Sequence, residues 1–406
     1  MRRFQAWLAS DWYTRLIKGL IVLGWMVLPF THFRWLPNFG TTRPLTSVLF
    51  VAVLGLLLLR AMVVHWSAIW NRNGLAFIKT GLANLPGGWR FLRWWLALLA
   101  LGIVSAALTP FYGNFAQALN RLLSYAIILA YTGVALFSLK NFGIQAIATW
   151  TAYGYIPVLL YGAIEILAVR GNPLARSAVE WVRDTFLVQF NWGGRLALFT
   201  TEASFTSFHL VLLGAIFPYL RSKWLRGVVL AVCLMTLLFS ISGTLYIMVV
   251  GWLVVWVLLS QPRRRLVWLG GTVLSLALVG LAAWVFIPGL EEQLTSWWTD
   301  FWSLPRMKDM PVSFAIRGGY VVNLIWVLIE TRGLGLGVGQ YGQFWRETFL
   351  RHINYQAYDV YGEVGRALAS PNYMRPWSVI FGLGADLGLV GMALFGGFIA
   401  NTWQAC

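Results

Sequence analysis

Arg195, Glu202 and His209 stand seven residues apart in Gly194-Arg-Leu-Ala-Leu-Phe-Thr-Thr-Glu202-Ala-Ser-Phe-Thr-Ser-Phe-His209. At 3.6 residues per turn that spacing returns to nearly one face, so a helix here carries a guanidinium, a carboxylate and an imidazole as one stripe. Such a stripe is costly against lipid and belongs in a polar, water-accessible cavity or in a structural ion-pair network. A second arginine, Arg317, heads Arg317-Gly-Gly-Tyr320-Val-Val-Asn-Leu-Ile-Trp-Val-Leu-Ile-Glu330. A helix beginning there places the cation in its first turn, against the preference set by the helix dipole, and that cost suggests another use. Guanidinium grips phosphate with fixed donors and stays charged at any accessible pH; the competing reading is a boundary arginine that snorkels. Arg375, in Ser370-Pro-Asn372-Tyr-Met-Arg-Pro-Trp377, carries the same two readings, and His352 adds an imidazole on the same side of the chain. Asp386 lies inside the last apolar run, where a carboxylate must be paired, protonated or functional; a structural pairing is expected.

Absent motifs narrow the chemistry further. The sequence holds no Gly-x-x-x-x-Gly-Lys-Ser/Thr, no His-Glu-x-x-His and no Gly-x-Ser-x-Gly, which argues against nucleotide hydrolysis, a dedicated metal and a serine nucleophile. Cys233 and Cys406, the two cysteines, make neither a disulfide framework nor a thiolate metal site. No metal and no cofactor is expected. The run Gly333-Leu-Gly-Leu-Gly-Val-Gly339 reads as a tight turn with close backbone packing rather than a phosphate cradle.

The elements that must position these residues are helices in a membrane. Hydrophobic residues make up 59% of the 406 positions and charged ones 11%, with mean hydropathy +0.69, far from a soluble domain. Apolar runs near 16–31, 45–64, 91–108, 121–139, 144–169, 203–220, 225–242, 244–260, 266–287 and 377–400 are long enough to cross a bilayer. An all-α polytopic membrane protein of about ten transmembrane helices, forming a single membrane domain over 1–406, is therefore expected. The first run lacks a small-residue cleavage site and reads as a retained span. With both termini inside, the inner segments carry sixteen basic residues against one acid, Asp11, and the outer segments fifteen against twelve. That asymmetry obeys the positive-inside rule, so the net charge of +17 orients the chain against anionic lipid rather than nucleic acid.

Two outer segments are long. Residues 170–202 read as an amphipathic helix near 174–190, with apolar Leu174, Val179, Val182 and Phe186, followed by a turn. Residues 288–376 read as a larger outer loop with short amphipathic helices, balanced at eight basic and eight acidic residues. Function is expected in these loops.

This pattern resembles the O-antigen polymerase and ligase superfamily, the Wzy-type and WaaL-type integral membrane glycosyltransferases. The resemblance is carried by Arg317 opening a helix, the apolar stretch Tyr320 to Ile329, Gly335-Leu-Gly-Val-Gly-Gln-Tyr-Gly, and the Asn372-containing lead into a glycine-rich last span with Asp386. The segment from Arg195 to His209 is similar to an Arg, then Glu-x-Ser, block of exopolysaccharide polymerases. The match covers roughly 195–210 and 317–395. Ligases of the family have His-Asn where this chain has Pro371-Asn372, which favours a polymerase.

The resemblance implies a GT-C-like helical bundle in a bacterial inner membrane, both termini cytoplasmic, with the site facing the periplasm. It implies an undecaprenyl-diphosphate-linked oligosaccharide donor and a second lipid-linked unit as acceptor, with membrane lipids, a chain-length regulator and a flippase as partners. Arg195 and Arg317 would stabilise the leaving diphosphate, with Arg375 as a weaker third. Glu202 would take the acceptor proton, with His352 as the alternative base. Tyr320, Asn372 and His209 complete the expected substrate contacts. One direct displacement inverts the anomeric centre and needs no metal. The rival readings are a ligase that transfers finished glycan, a flippase or transporter of lipid-linked sugars, and a non-catalytic assembly partner.

Overall fold

The computed structural model describes residues 10–36, 44–64, 88–111, 113–187, 196–200, 206–240, 312–353, 365, 368–369 and 379–405. Among them the secondary structure is all-helical: 83% helix, with ten helices and no strand. In chain order these are α1 (Asp11–Met26), α2 (Leu45–Val64), α3 (Gly88–Leu108), α4 (Phe115–Val169), α5 (Pro173–Phe186), α6 (Thr206–Ile216), α7 (Lys223–Phe239), α8 (Val312–Glu330), α9 (Tyr341–His352) and α10 (Val379–Ala405). The expected runs near 244–260 and 266–287 lie outside the described residues.

Local chemistry sets the helix ends. Ser10, Asn172 and Ser222 cap α1, α5 and α7 by accepting a backbone N–H three residues on, and Pro173 occupies the first turn of α5, where its missing donor costs nothing. The 55 residues of α4 are two limbs broken at Gly143 (φ 76°, ψ 162°), as the runs 121–139 and 144–169 anticipate. Each limb, at 1.5 Å per residue, is about 40 Å long. Among the described residues α4 alone is long and apolar enough to cross a membrane, and only 25% of its most apolar window is buried. Leu45–Arg60, Arg93–Leu108, Phe208–Tyr219, Gly319–Glu330 and Gly382–Phe398 are shorter apolar helical stretches.

The chain divides into two units, Met1–Leu75 with Ala130–Ile287 and Ala76–Leu129 with Pro288–Cys406. In the first, Tyr13, Ile17 and Ile21 of α1 pack with Phe50 and Val53 of α2 and Val134 of α4, and the Tyr13 hydroxyl donates to Leu56 O at 2.7 Å. A larger cluster joins Ala152, Tyr155 and Val158 of α4 to Leu213 of α6 and Val229 and Val232 of α7. In the second unit α8 and α9 enclose Tyr320, Leu324, Tyr341, Trp345 and Phe349. Trp95, Leu98, Tyr125, Val338, Leu383 and Leu387 form its other core, between α3, the start of α4 and α10.

Two expectations change. No continuous helix carries Arg195, Glu202 and His209 as one stripe: residues 196–200 form a turn, with Leu198 at φ 53°, and α6 begins only at Thr206. α8 begins at Val312, five residues before Arg317. The arginine is therefore past the first turn, beyond the reach of the dipole, and its placement carries no first-turn penalty.

Candidate functional site

The second unit builds a polar construction on the glycine run. Gly333, Gly335, Gly337 and Gly339 all have positive φ, as does Gly388 in the middle of α10. At Gly388 (φ 67°, ψ −164°) the α10 ladder opens. Ala385 O, which would accept from Leu389 N in an unbroken helix, accepts instead from Leu336 N at 2.6 Å, and Leu389 N donates to Gly333 O at 2.8 Å. The turn thus takes over one rung of the helix, and both backbone groups stay satisfied. Two glycines permit that approach: a Cβ on Gly335 would lie 2.6 Å from Gly388 N, and one on Gly388 would lie 2.6 Å from the carbonyl carbon of Leu334.

Asp386 holds the far end of this turn. Its Oδ1 accepts from Gly339 N at 3.0 Å, and its Oδ2 accepts from Arg121 Nε at 2.8 Å and from the Tyr125 hydroxyl at 2.7 Å. The Asp386 side chain is 1% exposed and the Arg121 side chain 29%. Both oxygens are engaged, so Asp386 is paired, as expected of a carboxylate in an apolar run, and serves as an anchor rather than a base. Gln340 extends the clamp: its Oε1 accepts from Asn114 N at 2.8 Å and its Nε2 donates to Asn114 O at 3.0 Å. Val338 N donates to Ser105 Oγ on α3 at 3.0 Å. Beside the turn lies a cavity of about 450 Å³, lined mainly by Leu101, Val104, Leu108, Leu336, Phe344 and Leu387, with Ser105 and Asp386 as its polar members.

Arg317 lies on α8, the helix that ends at this turn. At the turn end of α8, Glu330 gathers three donors from one face of α9: Thr348 Oγ1 at 2.7 Å, Arg351 Nη1 at 2.7 Å and His352 Nε2 at 2.8 Å. The His352 ring stacks on Trp326 at 4.0 Å with an interplanar angle of 4°. His352 is thus held at Glu330, thirteen residues along α8 from Arg317, about 20 Å of helix rise. The Thr348 hydroxyl above all, then His352 and Arg351, hold the Glu330 carboxyl below its ordinary range against partial burial. A depressed pKa adds stability that is full above the ordinary value of 4.5 and fades as pH falls through the lowered one. Acidification below 4.5 should therefore lower the melting temperature of the wild type more than that of Glu330→Gln. Equal slopes for the two proteins would remove the hub from the account.

Tyr320 and His209 are core residues, against the expectation of substrate contact. The Tyr320 ring is buried against Trp345 and Phe349, at 6.2 and 5.8 Å between centroids, and offers no face for a sugar. His209 is buried on α6 with its Nδ1 2.8 Å from the Tyr155 hydroxyl. Arg195, Glu202, Asn372 and Arg375 lie outside the described residues, as does the side chain of Arg317.

Three charged residues not singled out in the sequence organise the structure: Arg121, Glu330 and Glu165. Glu165, fully buried on α4, accepts from Arg183 Nη2 of α5 at 2.7 Å and from the backbone of Ala197 and Leu198 at 3.1 and 2.8 Å. Its carboxylate thereby fixes the segment that directly follows Arg195, where Leu198 takes φ 53°. The available signal was a charge inside an apolar run, by default a mark of pairing or function. Comparison with protein-family models, with curated proteins and with solved structures returns no match for this chain.

Proposed function

We propose that this chain is a multi-spanning membrane glycosyltransferase that polymerises oligosaccharide units carried on undecaprenyl diphosphate, at the outer face of a bacterial inner membrane. The observation that carries this reading is the joining of the resemblance-bearing segments in the second unit. The helix bearing Arg317, the glycine turn and the Asp386 stretch of α10 form one hydrogen-bonded construction, so these separated motifs serve a common purpose. A membrane setting is supported by the second limb of α4, where Tyr153, Leu160, Ile164 and Leu167 form an exposed stripe opposite buried Ala152, Tyr155, Val158 and Glu165. Leu160 alone is 63% exposed, an arrangement stable against lipid and unfavourable against water.

In the proposed reaction the acceptor hydroxyl attacks the anomeric carbon of the donor, the bond to diphosphate breaks, and the acceptor proton passes to a carboxylate. Arg317 and Arg195, both assigned from the sequence, stabilise the charge that develops on the leaving diphosphate. Glu202 is the base. One displacement inverts the anomeric centre.

Purified protein supplied with a single lipid-linked repeat unit should yield a ladder of products. Arg317→Lys keeps the charge but loses the planar fork, so it should lose most polymer while remaining inserted and monodisperse. A single transfer to a different acceptor without a ladder would instead identify a ligase. Movement of intact donor across the bilayer without glycosidic product would identify a flippase.

A further inference from the structure

We propose that α5, together with Trp35, is an interfacial collar lying in the headgroup layer of the bilayer at the end of α4; this rests on the membrane reading above. The helix has three faces. Ala175, Val179 and Arg183, spaced at four, are buried against the first unit. Arg176, Glu180 and Asp184 form an exposed polar arc, with Arg176 Nε 3.0 Å from Glu180 Oε1. Leu174, Ala178 and Trp181, at i, i+4 and i+7, form a third face that is apolar and uncovered. Leu174 is 83% exposed and Trp181 62%.

A second tryptophan reaches the same end of the unit from elsewhere in the chain. Trp35 is 67% exposed, and both it and Trp181 set an edge against Phe186 at 5.6 Å between centroids. Its segment is pinned to α5: Arg34 N donates to Phe186 O at 2.8 Å, and Arg34 Nη1 donates to Asp184 O at 2.9 Å. Two exposed indoles sharing one phenyl ring, beside an uncovered leucine, suit a layer that is apolar on one side and wet on the other.

Chain continuity names the occupant. The exposed stripe of α4 ends at Leu167, and only Arg170, Gly171 (φ 90°) and Asn172 separate α4 from α5. If α4 is a membrane span, a helix that starts three residues beyond it is held at the bilayer boundary, with its polar arc free for water. The arc balances Arg176 against Glu180, so binding runs through the apolar face rather than through attraction to anionic lipid.

Single cysteines at Leu174, Ala178, Trp181 and Trp35, and at Arg176 and Glu180 as the polar arc, are introduced into a chain with Cys233→Ala and Cys406→Ser. Each is labelled with a fluorophore in phosphatidylethanolamine and phosphatidylglycerol vesicles containing lipids spin-labelled at the headgroup or at mid-chain. The four collar positions should lose most of their fluorescence to headgroup labels, little to mid-chain labels, and equally at low and high salt. The polar-arc positions should lose little to either. Leu160→Cys, on the α4 stripe, reports on the membrane reading itself and should be quenched by mid-chain labels. Quenching at Leu160 without quenching at the collar overturns the collar alone; no quenching at Leu160 overturns the membrane reading and the collar with it. Collar positions shielded from aqueous reagents but unquenched by lipid would mean that protein covers this face, and quenching lost at high salt would mean electrostatic attachment. Either result overturns the proposal. Trp35→Cys lies outside α5, so the test survives any misfolding of helix variants.

Discussion

Arg121→Leu is expected to destabilise the second unit by about 3–5 kcal/mol, the range for removing one partner of a buried ion pair. The substitution strands a carboxylate that is 1% exposed and left with two donors, the Tyr125 hydroxyl and Gly339 N. The reverse change is milder. Asp386→Asn leaves an arginine whose side chain is 29% exposed and keeps an amide oxygen that can accept from it, so the loss falls nearer the ~1.5–3 kcal/mol of a charged hydrogen bond. The double variant should be less harmful than the two single losses added, because each single change strands the other partner. Melting temperatures of the four proteins in one detergent complete the cycle. Strict additivity would show that the 2.8 Å contact between Arg121 and Asp386 contributes nothing.

Gly388→Ala should be nearly as damaging, for a different reason. Its backbone pair of angles (φ 67°, ψ −164°) is essentially restricted to glycine, and holding another residue there costs about 1–3 kcal/mol. The new methyl also meets Gly333 O and the carbonyl of Leu334, so the turn must withdraw and give up the bonds from Leu336 N and Leu389 N. Eight residues on, Gly396 sits in regular, exposed helix with no atom within 4 Å of a built Cβ. Gly396→Ala should be neutral or gain up to about 1 kcal/mol from helix propensity. The fraction remaining monodisperse after a heat ramp ranks the two. Equal survival would mean that α10 can close its ladder through residue 388 without loss.

What could be read from the sequence was whatever depends on neighbours within a few turns. The all-helical class, the break near Gly143, the amphipathic α5 and the tight glycine turn follow from local periodicity and from the conformational freedom of glycine. Even within α5 the apolar residues divide: Val179 is buried whereas Leu174 points away from the protein, because periodicity marks apolar faces without saying what covers them. Partners distant in sequence were not legible. Asp386 plainly needed a cation, yet its choice of Arg121, 265 residues away, is set by tertiary packing. His352 shows the same limit from the other side: residue type marked it as a candidate base, and nothing local foretold its contact with Glu330, 22 residues away.

The distance in sequence between Arg121 and Asp386 also sets an order of events during synthesis. At roughly 5–20 residues per second, the 265 intervening positions take on the order of ten to fifty seconds to translate. If the chain enters the bilayer as it leaves the ribosome, Arg121 arrives long before the carboxylate that neutralises it. Its place near the start of α4, six residues after Phe115, lets the guanidinium wait at the water boundary. Glu165 precedes Arg183 by only 18 residues, an interval of about one to four seconds. The first unit can thus settle its buried charge while translation continues, whereas the second cannot pair Arg121 until Asp386 of α10 has been made.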